Sequence, residues 1–288
     1  MVAAAQGRLV KVLVTGAVGQ LGVAVCEELQ RRGIDTVAAA RTDLDISNRT
    51  KVAEVVRDSR VDCIVNAAAM TDVDRCEVDE QTAFAINAHG VAHLAEAAAD
   101  TGAHLLTVST DYVFDGTKIG PYVESDDADP RSAYGRSKLA GEVAAGPQST
   151  VVRTSWLSGA AGANIVATIR RLLAAGTELS FVTDQVGCPT FTADLTPALV
   201  DLALDRWAGI VHVTNRGAVS WYEFASEVAR QLGADPGRVR PIRTSELIPP
   251  RPAERPANSV LCNARFDGAG YRPLRDYQEP LKELLAAG

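Results

Sequence analysis

Through the first half of the chain, short runs of apolar and β-branched residues alternate with longer stretches whose apolar positions recur at helical spacing. The runs at 9–15, 34–40, 61–66, 104–109 and 151–154 have the near-continuous apolar character of strands buried on both faces of a parallel sheet. Between them helices are expected at about 20–32, 48–58 and 79–101, the last rich in alanine. Strand and helix repeated in this order predict an α/β fold built on a doubly wound parallel sheet of the Rossmann type. Beyond residue 155 the pattern loosens. Helices at about 164–174, 193–205 and 221–232 alternate with short strands near 179–183 and 210–213, which predicts a smaller C-terminal domain. Residues 248–256 hold four of the thirteen prolines and read as a stiff, extended segment, either a loop around a ligand mouth or a surface linker.

Composition narrows the picture by exclusion. With 288 residues, 47% hydrophobic and 23% charged, the chain has the make-up of an ordinary globular protein with a large core. A net charge of -7 and a pI near 5.2 argue against a broad basic face for nucleic acid. Five scattered cysteines, odd in number and without short paired spacing, suggest free thiols in a reducing compartment. The first eight residues lack a long apolar core, and no run reaches the roughly 18 apolar residues of a membrane span, so a cytoplasmic protein is expected.

Candidate chemistry begins where the first strand runs into Gly16-Ala17-Val18-Gly19-Gln20-Leu21-Gly22. Glycines at these positions allow a tight turn, close approach of backbone to a pyrophosphate and close packing of the next helix, whose N-terminal amides face the phosphates. Arg41 stands at the end of the second strand, where many dinucleotide folds carry an acid for the ribose hydroxyls. An arginine there meets a 2′-phosphate instead, which favours NADPH, with NADH the alternative. Asp45 and Ile46 follow, placed to hold the adenine or merely to cap the next helix. The third strand ends in Asn66-Ala67-Ala68-Ala69, small residues that leave room at the sheet edge where ligands bind. His89 and His93 share a helical face but have no third ligand nearby, so no metal site is expected. At the end of the fourth strand Thr110, with Ser109 the lesser candidate, offers a hydroxyl for a substrate carbonyl or for a capping turn. Finally, Tyr134 and Lys138 are four apart and rise from one helical face, where a nearby cation would lower the phenol pKa and make Tyr134 a proton donor.

Taken together, the glycine loop, Asn-Ala-Ala-Ala, Ser-Thr-Asp-Tyr-Val-Phe-Asp-Gly from Ser109 and Tyr-Gly-Arg-Ser-Lys-Leu-Ala-Gly-Glu from Tyr134 resemble the extended short-chain dehydrogenase/reductases. The nearest resemblance is to the dTDP-4-dehydrorhamnose reductases, supported by Arg153-Thr154-Ser155-Trp156, by Asp184-Gln185-Val-Gly-Cys-Pro-Thr190 and by Arg255-Pro-Ala-Asn258-Ser259. The resemblance implies hydride transfer from a nicotinamide to a C4 ketone of a nucleotide-sugar. Tyr134 would protonate the alkoxide, Lys138 hold the nicotinamide ribose and tune Tyr134, and Thr110 fix the carbonyl. It also implies that Trp156 lies near the sugar and that Thr71, Val73, Asn164, Gln185, Arg255 and Asn258 surround the nucleotide-sugar, Arg255 with a planar fork suited to a diphosphate. The expected division is a dinucleotide-binding domain over 1–155 and a mainly substrate-binding domain over 156–288, with about 191–215 returning to the first. Some members dimerise around magnesium held by glutamates. Ala24 stands at one of those positions, so a homodimer is allowed but a metal bridge is not expected. Leu157-Ser158-Gly159 replaces a Val-Tyr-Gly, removing one rim aromatic and leaving a related 4-keto sugar as an alternative substrate. A non-catalytic dinucleotide-binding subunit is disfavoured by the intact Thr110, Tyr134 and Lys138, and an epimerase or dehydratase by the lack of an Asp-Glu pair after Thr110.

Overall fold

The computed structural model describes residues 10–287. Leu9, expected in the first strand, and the stretch Met1 to Arg8 lie outside them. Six strands form one parallel sheet: β1 (Lys11–Thr15), β2 (Asp35–Ala39), β3 (Cys63–Asn66), β4 (His104–Thr110), β5 (Thr150–Thr154) and β6 (Gly209–His212). Their order across the sheet is β6-β5-β4-β3-β1-β2, so the direction of winding reverses between β1 and β3. A ligand crevice opens beyond the carboxyl ends of the strands at such a reversal. The strands are apolar because helices cover both faces. Helix α1 (Gln20–Arg31) packs one face, with Leu21, Val25 and Leu29 against Val12, Val14 and Val65. Helices α2 (Arg49–Ser59) and α3 (Gly90–Thr101) cover the other through Val52, Val56, Val91 and Leu94.

The helix expected over 79–101 is broken. Asp79 caps a new short helix at Thr82, and residues Ala85–His89 form a π-helical turn before α3. Inside that turn the buried Asn87 amide bonds Met70 and the Ser137 hydroxyl, and the Asn87 carbonyl lies where a Cβ on Gly141 would collide with it. Gly141 belongs to α4 (Ala133–Ala145), so the bulge and the missing side chain fit together.

After β5 the chain leaves the sheet, forms α5 (Ile165–Ala174), and returns through α6 (Thr192–Leu204) and β6. Helix α6 buries Leu195, Leu199 and Leu202 on the α1 face, and β6 pairs in parallel with β5 from Gly209 opposite Thr150. A separate core gathers α5, α7 (Trp221–Gln231) and α8 (Gln278–Ala287) around Phe191, Phe224 and Leu281. Its strands are short pairs, including the parallel Leu179–Val182 with Val239–Ile242. No described helix is long and apolar enough to cross a membrane.

Candidate active site

The β1 end of the crevice is shaped by atoms that are missing. Gly16 has φ +66°, and a Cβ there would stand 2.8 Å from the Ala68 backbone, so the turn fits against Ala67 and Ala68 only as glycine. A Cβ on Gly22 would collide with the Gly16 carbonyl oxygen, while the Gly19 amide donates to that same oxygen at 2.9 Å. No side chain caps α1 and no acid lies in its first turn, which leaves its leading amides to an anion. Ala17 and Leu21 are buried beneath the turn, Val18 is exposed, and Ala69 extends the small-residue wall. Gln20 reaches away from the loop and donates to the Leu157 carbonyl at 3.1 Å, tying the turn to the chain beyond β5.

At the end of β2, the exposed Arg41 makes a 3.4 Å contact with Asp45. The Asp45 carboxylate also accepts from the Ser47 amide and hydroxyl, and these bonds hold its pKa below the usual carboxylate range. The cap of α2 is Asn48 rather than either residue of the Asp45-Ile46 pair. Ile46 is core: its side chain fills the space beside Gly90, and its carbonyl meets Nδ1 of His93 at 2.9 Å.

Tyr134 lies in the first turn of α4, which Ser132 caps through the Gly135 amide. A side chain on Gly135 would strike the Tyr112 carbonyl oxygen, so the turn sits directly on the segment leaving β4. Tyr112 meets Tyr134 edge to face, with centroids 5.7 Å apart. Burial of its hydroxyl pushes the Tyr134 pKa up, and a hydrogen bond with Thr110 opposes this. Lys138 is not prominent among the groups acting on it, so the expected lowering by the ammonium does not hold in this state. The reason is where Lys138 points: its Nζ donates to the Val108 carbonyl at 2.6 Å. Burial draws the Lys138 pKa down to about 8, against the pull of the Glu142 carboxylate. The phenol therefore holds its proton at neutral pH, ready to give rather than already ionised.

Thr110 sends its single proton to Asp111, 2.9 Å away, and accepts from the Tyr112 amide. Asp111 is 1% exposed, and burial raises its pKa to about 7 against the opposing Ser259 and Thr110 hydroxyls. Behind Lys138, Glu142 and Arg153 form a buried two-point ion pair at 2.9 and 2.7 Å, joined by the Ser109 hydroxyl at 2.5 Å. Ser109 is thus spent on the framework and Thr110 is the hydroxyl near Tyr134.

Of the expected sugar-side residues, Trp156 has φ +46°, a strained value for a tryptophan, and stacks on Trp221 at 3.6 Å. Thr71 is exposed and Val73 half-buried at the start of the short helix Val73–Val78. Arg255 offers both Nη atoms to Asp74 at 3.0 and 2.9 Å. Three amides are committed elsewhere: Asn164 caps α5, Gln185 donates to Thr244, and Asn258 donates to the carbonyls of Lys118 and Gly120. Asp74, Tyr112 and Glu142 were missed from sequence. Tyr112 sits inside a motif read only for its hydroxyls, and Glu142 one turn beyond Lys138 was available as a signal; Asp74 had none.

Among the described residues no group of three or more His, Cys, Asp or Glu side chains gathers for a metal. A cavity of about 640 Å³ between α1, α6 and α8, bordered by Ala24, Phe191 and Glu283, is lined by none of Thr110, Tyr134 or Lys138.

A family model described as the RmlD substrate binding domain matches residues 10–288. The chain is 42% identical to a dTDP-4-dehydrorhamnose reductase of Mycobacterium tuberculosis over 290 residues, covering 98% of this chain and 94% of the relative. It is also 42% identical to a probable dTDP-4,6-dihydroxy-2-methyloxan-3-one 4-ketoreductase of Streptomyces antibioticus, covering 95% and 94%. Among solved structures, the dTDP-4-dehydrorhamnose reductase of Bacillus anthracis in complex with NADP superposes with a TM-score of 0.92 at 35% identity, covering 98% of this chain and 100% of that one.

Proposed function

This chain belongs to the RmlD substrate binding domain family, and on that premise we propose that it is an NADPH-dependent oxidoreductase reducing the C4 ketone of a dTDP-4-keto-6-deoxy sugar, dTDP-4-dehydro-L-rhamnose first. The observation that carries the reading is Tyr134 in the first turn of its helix, seated on the segment that leaves Thr110, at the same carboxyl edge of the sheet as a turn that fits only as glycine. The dinucleotide fits that wall: Gly16, Gly19 and the leading amides of α1 receive its phosphates, Ala67 to Ala69 leave it room, and Arg41 meets a 2′-phosphate. Once bound, the reduced nicotinamide supplies the hydride.

The protein's own work is to hold the ketone and deliver a proton. Tyr134 donates its phenolic proton to the oxygen that becomes the C4 hydroxyl, and Thr110 orients that oxygen when its own proton turns away from Asp111. Lys138, charged below its pKa of about 8, steadies the phenolate left behind once its ammonium leaves the Val108 carbonyl. Trp156 forms a flat wall for the sugar, and Arg255 faces the diphosphate. We assign residues 156–191 and 216–287 mainly to substrate binding, and, with five free cysteine thiols, a reducing cytoplasm as the compartment.

The test is NADPH consumption by the purified protein with dTDP-4-dehydro-L-rhamnose, with product identified by mass spectrometry. Tyr134→Phe is expected to lower kcat by about 10²- to 10⁴-fold while dTDP binding stays unchanged. A second reading, a related nucleotide-4-keto sugar, is supported by the likeness, at the same 42% identity, to a probable dTDP-4,6-dihydroxy-2-methyloxan-3-one 4-ketoreductase. Reduction of such a sugar in preference to the rhamnose precursor transfers the assignment, and failure to reduce any keto sugar withdraws it.

A further inference from the structure

Residues 248–257 cross the sugar side of the crevice as a strap without helix or strand. One end is anchored at Thr244, which donates from its amide and hydroxyl to Asp184 and accepts from Gln185. The other end is stitched down by Asn258, whose amide nitrogen bonds the Gly116 carbonyl, and by Ala257 and Ser259 on either side of Val186. Pro256 sits where a Cβ on Gly116 would be 2.6 Å away. Between these ends, among the described residues, the hydrogen bonds that tie 248–254 to the rest of the protein run to one carboxylate, while within the strap Nη1 of Arg255 donates to the Ala253 carbonyl at 3.0 Å. Asp74 accepts from Arg251 at 3.3 Å, from the Ala253 amide at 3.2 Å and from both Nη atoms of Arg255 at 3.0 and 2.9 Å.

The carboxylate does more than fasten a loop. Arg255 is held against Tyr112, which bonds it and in turn meets the Tyr134 ring. With both Nη atoms on Asp74 and Nη1 also on the Ala253 carbonyl, the plane of the guanidinium is fixed, and the donors outside these bonds are the Nε–H and one N–H of Nη2. The two arginines bring their charges to one carboxylate, with Asp72 also acting on Arg255, so what they offer a dianionic group is aligned N–H donors rather than surplus charge. Asp74 also lies one residue beyond Val73 and three beyond Thr71, so strap and opposite lip share a single pin.

We propose that Asp74 is a positioning residue that closes the 248–257 strap over the nucleotide-sugar mouth and orients Arg255, with Arg251 beside it, toward the diphosphate of the substrate. This rests on the reading of the mouth as a nucleotide-sugar site. It assigns Asp74 no contact with the reacting atoms.

The experiment uses the full chain with Asp74→Asn, which keeps shape and removes charge, and dTDP as the probe. Calorimetry is expected to show dTDP affinity falling by about tenfold or more, with NADPH affinity unchanged. Hydrogen exchange of the peptide containing Ala253 should quicken, and KM for the nucleotide-sugar should rise with kcat held within about twofold. Arg251→Gln removes only an exposed partner and keeps the question open to measurement should Asp74→Asn fail to fold; a two- to threefold weaker dTDP, about the loss of one exposed ion pair, is expected. Unchanged dTDP affinity in the variants overturns the proposal, as does tighter binding by Asp74→Asn, which would make Asp74 a competitor of the diphosphate. A wild-type protein that binds no dTDP overturns it too. Should the wild type bind dTDP, lose it in Asp74→Asn, and yet reduce no sugar, the strap stands and the activity falls; turnover with a neutral Asp74→Asn gives the reverse.

Discussion

At the β1 end of the crevice the lining is main chain, brought close because Gly16, Gly22, Ala67 and Ala68 have little or nothing to keep it apart. At the other end the lining is side chain pinned to side chain: Trp156 on Trp221, Arg255 on Asp74 across 181 residues of sequence, Gln185 on Thr244. The first kind of wall is specified by which residues lack side chains, Gly16 meeting Ala67 and Ala68 from the neighbouring strand end. The second joins side chains from separate elements, up to 181 residues apart for Arg255 and Asp74, and each contact can be exchanged without moving the backbone.

The sharpest challenge to this contrast is Glu142 with Arg153, a side-chain pair inside the nucleotide half. Glu142→Gln leaves Arg153 charged and buried, and denaturant titration should show a loss of about 3–5 kcal/mol, more than any single change on the sugar side. Gly22→Ala attacks the backbone wall directly. The added methyl meets the Gly16 carbonyl, and the forced shift of about 2–3 kcal/mol should weaken NADPH by roughly a hundredfold, read by fluorescence titration, while dTDP binding changes little. On the side-chain wall, Trp221→Ala takes away the support beneath Trp156. About 1 kcal/mol is expected there, appearing as a roughly fivefold rise in KM for the sugar nucleotide with NADPH affinity intact. The remaining effect is one of slope. Burial raises the Asp111 pKa from about 4 to about 7, so across that window the folded protein binds more protons than the unfolded chain and stability falls as pH rises. Asp111→Asn should remove that slope, its stability relative to wild type being higher at pH 8 than at pH 4; equal differences at both would show that Asp111 titrates normally.

The same division decides what could be read from the sequence. The parallel sheet, the glycine loop and the Tyr134/Lys138 face announce themselves locally, through apolar runs, absent side chains and a spacing of four. The break in the 79–101 helix did not, because the Asn87 bulge is matched by Gly141 more than fifty residues later. The direction of the Lys138 side chain was equally hidden, since the Val108 carbonyl that captures it belongs to another element. Asn164, Gln185 and Asn258 were recognised as special by motif, but motif carries no information on which way an amide turns.

The return of β6 to the sheet bears on how the protein is made. A ribosome that has released the first 155 residues has delivered five of the six strands but neither the edge strand nor helix α6, so the apolar face beside α1 is still bare and β5 is an open edge. The six-stranded sheet cannot finish before residue 212 has emerged, by which time residues 156–191 are already threaded between its parts. Synthesis therefore yields both halves together or neither, and cutting the gene at their apparent boundary should give an aggregating fragment rather than a cofactor-binding module.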